Sequence, residues 1–440
     1  MPSAIVIGGG LSGLACAAAL GEAGFDVDLF EARGFLGGRA TSYPLNNSDD
    51  SEIIDNCQHI LLRCCVNLLD FYTRLGVADR IEFHRTFYFI EPGGRVSTMR
   101  AGALPKPFHF TESFLSGIRF LNLRDKMAIG RALLALRRER GRKDLDRITM
   151  MDWLREKRQT PRAIDRFWRQ VLVSAVNEDL ERMAALHGFH VFWLGFLAAR
   201  DSYEMGVPAV PLSELYSADA WGKIGKVQLH LRCPVDRVVT EGEQVRSIAS
   251  RGGERSADYY VLAVPFERIG AMAPELDTDL RSFTHSPITG IHLWFDRKVT
   301  DLPHATLLDR TIQWMFNKAD GRYLQLVVSA SRSLVETPRG EVIDLAVREL
   351  GEFFPAVREA KLEKAHVVKE VRATFSAQPG LEAVRPGPVT NLKNVFLAGD
   401  WTRSGWPATM EGAVRSGYMA AEAILDASGR PRRIVLPDIA

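Results

Sequence analysis

The stretch AIVIGGGLSGLACAAALGEAGFDVDLFEAR, residues 4–33, leaves fewer folds open than any other part of this chain. Residues 4–7 form a short apolar run that predicts a buried strand, and the small-residue segment 11–23 predicts a helix. Residues 25–30 predict a second strand, which ends on Glu31. Between the first strand and the helix, Gly8, Gly10 and Gly13 fit the pattern G-x-G-x-x-G. Each glycine has a separate task there: a tight turn, a close backbone approach to a pyrophosphate, and a helix lying tightly on its strand. The helix N-terminus then turns unpaired N–H groups and partial positive charge toward phosphate. Glu31 falls where a carboxylate accepts ribose hydroxyls. Together these parts predict a dinucleotide site on a doubly wound parallel α/β sheet.

The residues that follow, GFLGGRATS, carry Gly37, Gly38 and Arg39. A nicotinamide domain would begin its next helix here, whereas a Gly-Gly-Arg turn offers bare backbone and a guanidinium to a longer cofactor. Near the other terminus, VFLAGDWTRSGWPATMEGAVRSGYMAAEAIL (395–425) runs from a buried strand through Gly399 and Asp400, past two tryptophans, into a small-residue helix. The chain resembles the flavin amine oxidase and phytoene desaturase superfamily in these features. The resemblance implies a Rossmann-like FAD-binding domain, discontinuous in sequence, with an inserted α+β substrate domain. It also implies FAD held non-covalently by Gly8, Gly10, Gly13, Glu31, Gly38 and Arg39, with Gly399 and Asp400 near the ribityl and pyrophosphate. Trp401 and Trp406 are expected beside the isoalloxazine. Gly412 and Ala413, opening the helix 411–425, are expected to present N–H groups at the pyrimidine edge, Met410 is expected among the cofactor-binding residues, and Val235 is expected to lie against adenine.

At 440 residues the chain is long for one core, so two interwoven domains are expected. Residues 1–60, 221–284 and 376–440 are assigned to the FAD domain, and 61–220 and 285–375 to the substrate domain. Within the first insertion helices are expected over 61–75 and 124–145, and within the second, alternating strands of a mixed sheet. The first insertion is aromatic, which suits an isoprenoid chain and equally suits a core. Lys plus Arg is 56 and Asp plus Glu is 54, which gives no overall case for a nucleic-acid partner. Locally, residues 124–147 are basic and interleaved with leucines, which fits either peripheral docking on an anionic membrane or a solvated helix face. Five scattered cysteines without a C-x-x-C pair argue against a disulfide framework or a metal site. The expected location is the cytosol or the inner face of a membrane.

Three further stretches, DNCQHILLRCCVNLLDFYTRLG (55–76), LVSAVNEDLERMAALHGFHVF (172–192) and RDSYEMGVPAVPLSELY (200–216), resemble the hydroxysqualene dehydroxylase family. Cys57 departs from that family's Asn-Gly-Gln-His pattern. The resemblance implies conversion of hydroxysqualene to squalene, a hopanoid precursor, with reducing equivalents from an external electron donor. Protonation of an allylic alcohol releases water and leaves a delocalised cation that a hydride quenches, so the site needs an acid, a dry channel and a flavin. His59 is the first candidate acid, since an unperturbed imidazole titrates near neutrality. Asp201 and Glu178, set among apolar residues, come next. Gln58, Tyr203, Phe192, Trp193 and Trp406 are the expected substrate-lining residues. A carotenoid desaturase and a non-enzymatic prenyl-lipid carrier of the Rab escort type are the competing readings.

Overall fold

The computed structural model describes residues 1–45 and 52–439. Its first layer is a five-stranded parallel sheet in the order Lys226–His230, Asp26–Phe30, Ser3–Ile7, Tyr259–Leu262, Val395–Leu397. Neighbouring strands come from distant parts of the chain, and the central three are almost wholly buried. Both faces are covered, as a parallel sheet requires. The fingerprint helix Leu11–Glu22 lies against the sheet, and the closing helix Met410–Ala427 packs along it. Their contact is close because Gly417 faces the backbone of Ser12, where a Cβ would come within 2.1 Å of the carbonyl oxygen.

The second layer is a seven-stranded sheet in the order Leu362–Phe375, His285–Phe295, Tyr323–Ser329, Trp314–Ala319, His304–Leu307, Phe87–Ile90, Val96–Met99. The last two strands come from within residues 61–220, expected above to be largely helical, so that stretch contributes strands as well as helices. Phe87–Ile90 runs parallel to its neighbour and the other pairings are antiparallel. Helices between residues 123 and 192 pack around a core of interlocked rings from Trp153, Trp168, Phe167 and Phe192.

Two expected helices are shorter in the structure. Over 61–75 the chain first pairs as a strand, Leu61–Leu62 with Met205–Gly206, and turns helical only at Val66–Arg74. Cross-strand pairing satisfies backbone groups that an extra helical turn would leave competing with Met205–Pro208. The basic helix ends at Glu139 rather than 145, and begins at Leu123 with a reciprocal cap between Asn122 and Asp125. Gly141 follows within two residues of its end and Arg142 turns back to Asp144 and Glu156.

Candidate functional site

The glycine loop has the geometry its spacing predicts. Gly8 sits at φ +114°, where a Cβ would lie 2.3 Å from the Ala263 carbonyl oxygen, and a Cβ on Gly13 would lie 2.0 Å from the Gly8 oxygen. Gly10 is the open position: its Cβ would meet only Gly38, at 3.9 Å. Among the described residues no side chain caps the fingerprint helix, so its first-turn N–H groups border that space. Glu31 accepts from Gly9 N and from Arg33 N, both at 2.7 Å, and each carboxylate oxygen keeps a second acceptor position. Cys233 N bonds the Glu31 carbonyl, which brings buried Val235 to the same end of the crevice.

The Gly-Gly-Arg turn docks on this loop through Gly37 N and the Gly9 carbonyl at 2.8 Å. Its arginine crosses the crevice: Arg39 donates to Asp400 Oδ1 at 2.6 Å and to the Ala373 carbonyl at 2.6 Å. Asp400 is in turn fixed from behind by Arg385, a residue with no distinguishing signal in the sequence. The fully buried Arg385 guanidinium donates to the carbonyls of Asp400, Trp401, Thr402 and Trp406, and to Glu382. One cation thus organises the whole 400–406 loop.

Trp401 and Trp406 part company. Trp401 is turned into the core, its Nε1 donating to the Val264 carbonyl at 3.0 Å and its ring edge-on to Phe283. It is not among the residues that line the apolar cavity beside Trp406. Trp406 does line the cavity, as does Met410. The closing helix starts at Met410, with Thr409 as its cap. Gly412 N bonds Thr409 Oγ1 at 3.0 Å and Ala413 N bonds the Thr409 carbonyl, so neither N–H is free for a ligand as expected. The first-turn donors without an intrahelical acceptor are those of Met410 and Glu411. The Glu411 side chain turns away and caps the helix Val66–Arg74, accepting from Asn67 N, Asn67 Nδ2 and Leu68 N. Burial raises its pKa against the opposing effect of these bonds.

Beside Trp406 lies a cavity with about 1050 Å³ of atom-free space, part of it open to solvent. Leu61, Leu62 and Leu68 form one wall, and Phe87, Phe89, Met99, Phe196 and Trp314 form another. Three polar atoms in this apolar lining have no partner among the described residues: His190 Nε2, Gln170 Oε1 and Thr306 Oγ1. His190 stands edge-on to Trp406 at 4.4 Å, and burial holds its pKa down at about 4. Gln170 and Thr306 flank Trp314 at the other end. Trp314 Nε1 bonds Ser174, one turn from Gln170, and Thr306 is the register partner of Trp314. These residues were missed because strand pairing and helix packing alone bring them together.

The expected lining residues lie elsewhere, Trp406 excepted. Phe192 is core, Trp193 lies under the Arg140 guanidinium, and Tyr203 is held between the Arg85 carbonyl and Ala101 N. Gln58 accepts from Lys318 at 3.1 Å, and that lysine also pairs with buried Asp55 at 3.3 Å. The three candidate acids also separate. Asp201 is exposed at the surface. Glu178 is completely buried but fully engaged, accepting from Arg332 at 2.7 Å, from the Ser376 hydroxyl and from Asp179 N. Neither has the free, apolar-enclosed carboxyl expected of a general acid. His59 lies between crevice and cavity: Asn56 Nδ2 bonds the Arg39 carbonyl, and Ile60 lines the cavity. Its Nδ1 is 2.9 Å from the Cys57 carbonyl, which can only accept, so Nδ1 carries a proton and Nε2 is the free acceptor of the neutral ring. Burial lowers its pKa below the ordinary histidine value.

A parallel sheet with a glycine-loop crevice, joined to an antiparallel sheet over an apolar cavity, defines a dinucleotide-dependent oxidoreductase architecture. The family described as flavin-containing amine oxidoreductase matches residues 11–425, and the chain belongs to it. Its cofactor is FAD, and the open backbone at Gly10 and the Arg39–Asp400 clasp fit that cofactor. The chain is 27% identical to 15-cis-phytoene desaturase of Solanum lycopersicum, over 96% of its own length and 77% of that protein. Identity is 25% to the 15-cis-phytoene desaturase of Synechococcus elongatus, over 97% and 98%. The zeta-carotene desaturase of Synechocystis is 24% identical, over 98% and 99%. In fold the chain is similar to an oxidoreductase from Methanosarcina mazei, with a TM-score of 0.71 at 16% identity over 96% and 100% of the two chains. Cyclohexylamine oxidase from Brevibacterium oxydans gives a TM-score of 0.65 at 19% identity over 98% and 100%.

Proposed function

We propose that this flavoprotein removes the hydroxyl of hydroxysqualene reductively, giving squalene. The observation that carries this reading is the set of unpaired polar atoms on His190, Gln170 and Thr306 in an otherwise apolar cavity. A pure hydrocarbon would leave all three buried and unsatisfied, at roughly 1–3 kcal/mol each, whereas the one hydroxyl of an alcohol gives His190 Nε2 a partner. In the reaction a C–O bond is replaced by a C–H bond, water leaves, and the substrate takes up a proton and a hydride. FAD held in the glycine-loop crevice would, when reduced, supply the hydride, and an external donor would reduce it again.

This chain's own residues bind, orient and exclude water. Leu61, Leu68, Phe89 and Trp406 enclose the isoprenoid body and keep the allylic cation from solvent. His190 hydrogen-bonds the hydroxyl. His59 stands between cofactor crevice and cavity and delivers the proton to the departing oxygen. Its lowered pKa makes the imidazolium scarce at pH 7 but more acidic when formed, which favours turnover on the acid side of neutrality.

The carotenoid desaturases among the relatives favour a second reading, in which the chain would desaturate a phytoene-like polyene with bound FAD as the oxidant. One anaerobic experiment separates the two. Pre-reduced enzyme with hydroxysqualene is expected to yield one squalene per FAD and reoxidise the flavin, while oxidised enzyme leaves phytoene unchanged. Conjugated polyene from phytoene, with no squalene from the alcohol, would establish the desaturase instead.

A further inference from the structure

No helix among the described residues is long and apolar enough to cross a membrane, yet large apolar side chains are exposed in one concentrated region. Leu104, Phe108, Leu115, Leu123, Met127 and Leu134 are each 43–73% exposed and fall within 31 consecutive residues. On the helix Leu123–Glu139, Leu123, Met127 and Leu134 share one stripe with Gly130, whose Cβ position is open. The opposite stripe, Ala128, Ile129, Ala132 and Leu136, is the buried one. The helix is therefore amphipathic twice over, with an inner apolar face that packs and an outer apolar face that nothing in the described structure covers.

Cations border the outer stripe. By helical spacing Arg131 and Arg138 lie on one flank and Lys126 and Arg137 on the other. Arg119, Arg124, Arg131, Arg137 and Arg138 are exposed, and none forms an ion pair among the described residues. Residues 100–138 hold eight Lys and Arg against two Asp and Glu, so the chain's net charge of +2 is more than accounted for by this stretch. Leu115 and Leu123 also share a support. Phe114 packs on Phe167, while Asp125 and the Ala128 carbonyl accept from Thr160 and Gln159. The segment 104–117 and the helix thus form one surface over residues 159–168.

We propose that this surface docks in the plane of an anionic lipid membrane, its leucines and Phe108 in the acyl boundary and its arginines on the headgroup phosphates. A second copy of the chain would not fit as well, because the facing patches would bring like charges together. The surface also adjoins the cavity: Phe110, between Phe108 and Leu115, contacts the cavity-lining Phe196. A lipid-borne substrate would pass between them without crossing water.

The test is cosedimentation of the flavin-loaded full chain with phosphatidylglycerol/phosphatidylcholine vesicles and with pure phosphatidylcholine. Binding is expected only to the anionic vesicles. The triple variant Leu123→Ser, Met127→Ser, Leu134→Ser and the double variant Arg131→Glu, Arg138→Glu should each lower the partition coefficient by about tenfold or more. Val371→Ser with Val389→Ser, exposed elsewhere, should bind as the unsubstituted protein does. All substituted positions are at the surface, so flavin content and circular dichroism should be unchanged. Equal binding to neutral vesicles, or binding insensitive to both sets of substitutions, overturns the proposal. So does a dimer that the triple variant dissociates while vesicles bring down no protein.

Discussion

Arg39 and Asp400, 361 residues apart, meet across the mouth of the dinucleotide crevice with Nη2 and Oδ1 2.6 Å apart. The pair joins the turn that follows the fingerprint to the loop that precedes the closing helix. Because Arg39 remains partly exposed and Asp400 is nearly buried, the guanidinium can be drawn toward a phosphate while the carboxylate holds its place. Arg39→Ala should weaken FAD binding about tenfold to a hundredfold, the loss of one charge-assisted contact. Fluorescence titration of apoprotein measures it, and unchanged affinity would place the flavin elsewhere.

Glu31→Ala should act on both cofactor and fold. The carboxylate accepts Gly9 N and Arg33 N, so its removal releases the loop as well as the proposed ribose contact. Hydrogen bonds to a charged acceptor are worth roughly 1.5–3 kcal/mol. Flavin occupancy should fall, and the apoprotein should melt earlier than unsubstituted apoprotein. A change in affinity alone would mean that Glu31 does not support the loop.

Arg385→Met should be among the most destabilising single changes available. It leaves the carbonyls of the 400–406 loop and the Glu382 carboxylate without their buried partner, at a cost of about 3–5 kcal/mol. Urea unfolding of apoprotein reads this directly. Loss of FAD without loss of apoprotein stability would show that the loop holds itself.

His190→Phe and His59→Ala probe different parts of the site. His190→Phe should raise KM for the alcohol with a smaller effect on kcat, because it removes a ground-state hydrogen bond. His59→Ala should lower kcat by about 10² to 10⁴ without altering flavin binding, the range for a lost general acid. Steady-state kinetics under anaerobic conditions distinguish them, and unsubstituted rates in the His59 variant would remove it from the proton path.

His304 offers a pH test of the fold. Burial, reinforced by nearby His84, pushes its pKa down to about 3, against roughly 6.5 in an unfolded chain. Between those values the unfolded state holds a proton that the folded state lacks, so stability is lost as pH falls below 6.5. The contribution is about 1.4 kcal/mol per pH unit. His304→Leu should flatten the acid limb of the stability curve by that slope, measured by urea unfolding at pH 5, 6 and 7.

The dinucleotide loop was legible from sequence because its requirements are local. Gly8, Gly10 and Gly13 are spaced by one strand end, one turn and one helix start, and backbone sterics within a few residues decide which side chains are allowed. Arg39 and Asp400 were recognisable one at a time as parts of resembling segments. Their contact, like the four carbonyls gathered by Arg385, depends on parallel strands that draw residues 3–7, 259–262 and 395–397 together. The roles of carboxylates were the least legible. Glu178 and Asp201 sit in similarly apolar sequence, yet one is sealed against Arg332 and Ser376 and the other faces solvent. Whether a polar side chain finds a partner depends on elements far away in the chain. Free charged groups and paired ones therefore look alike in sequence, and only packing left His190, Gln170 and Thr306 unpaired around one cavity.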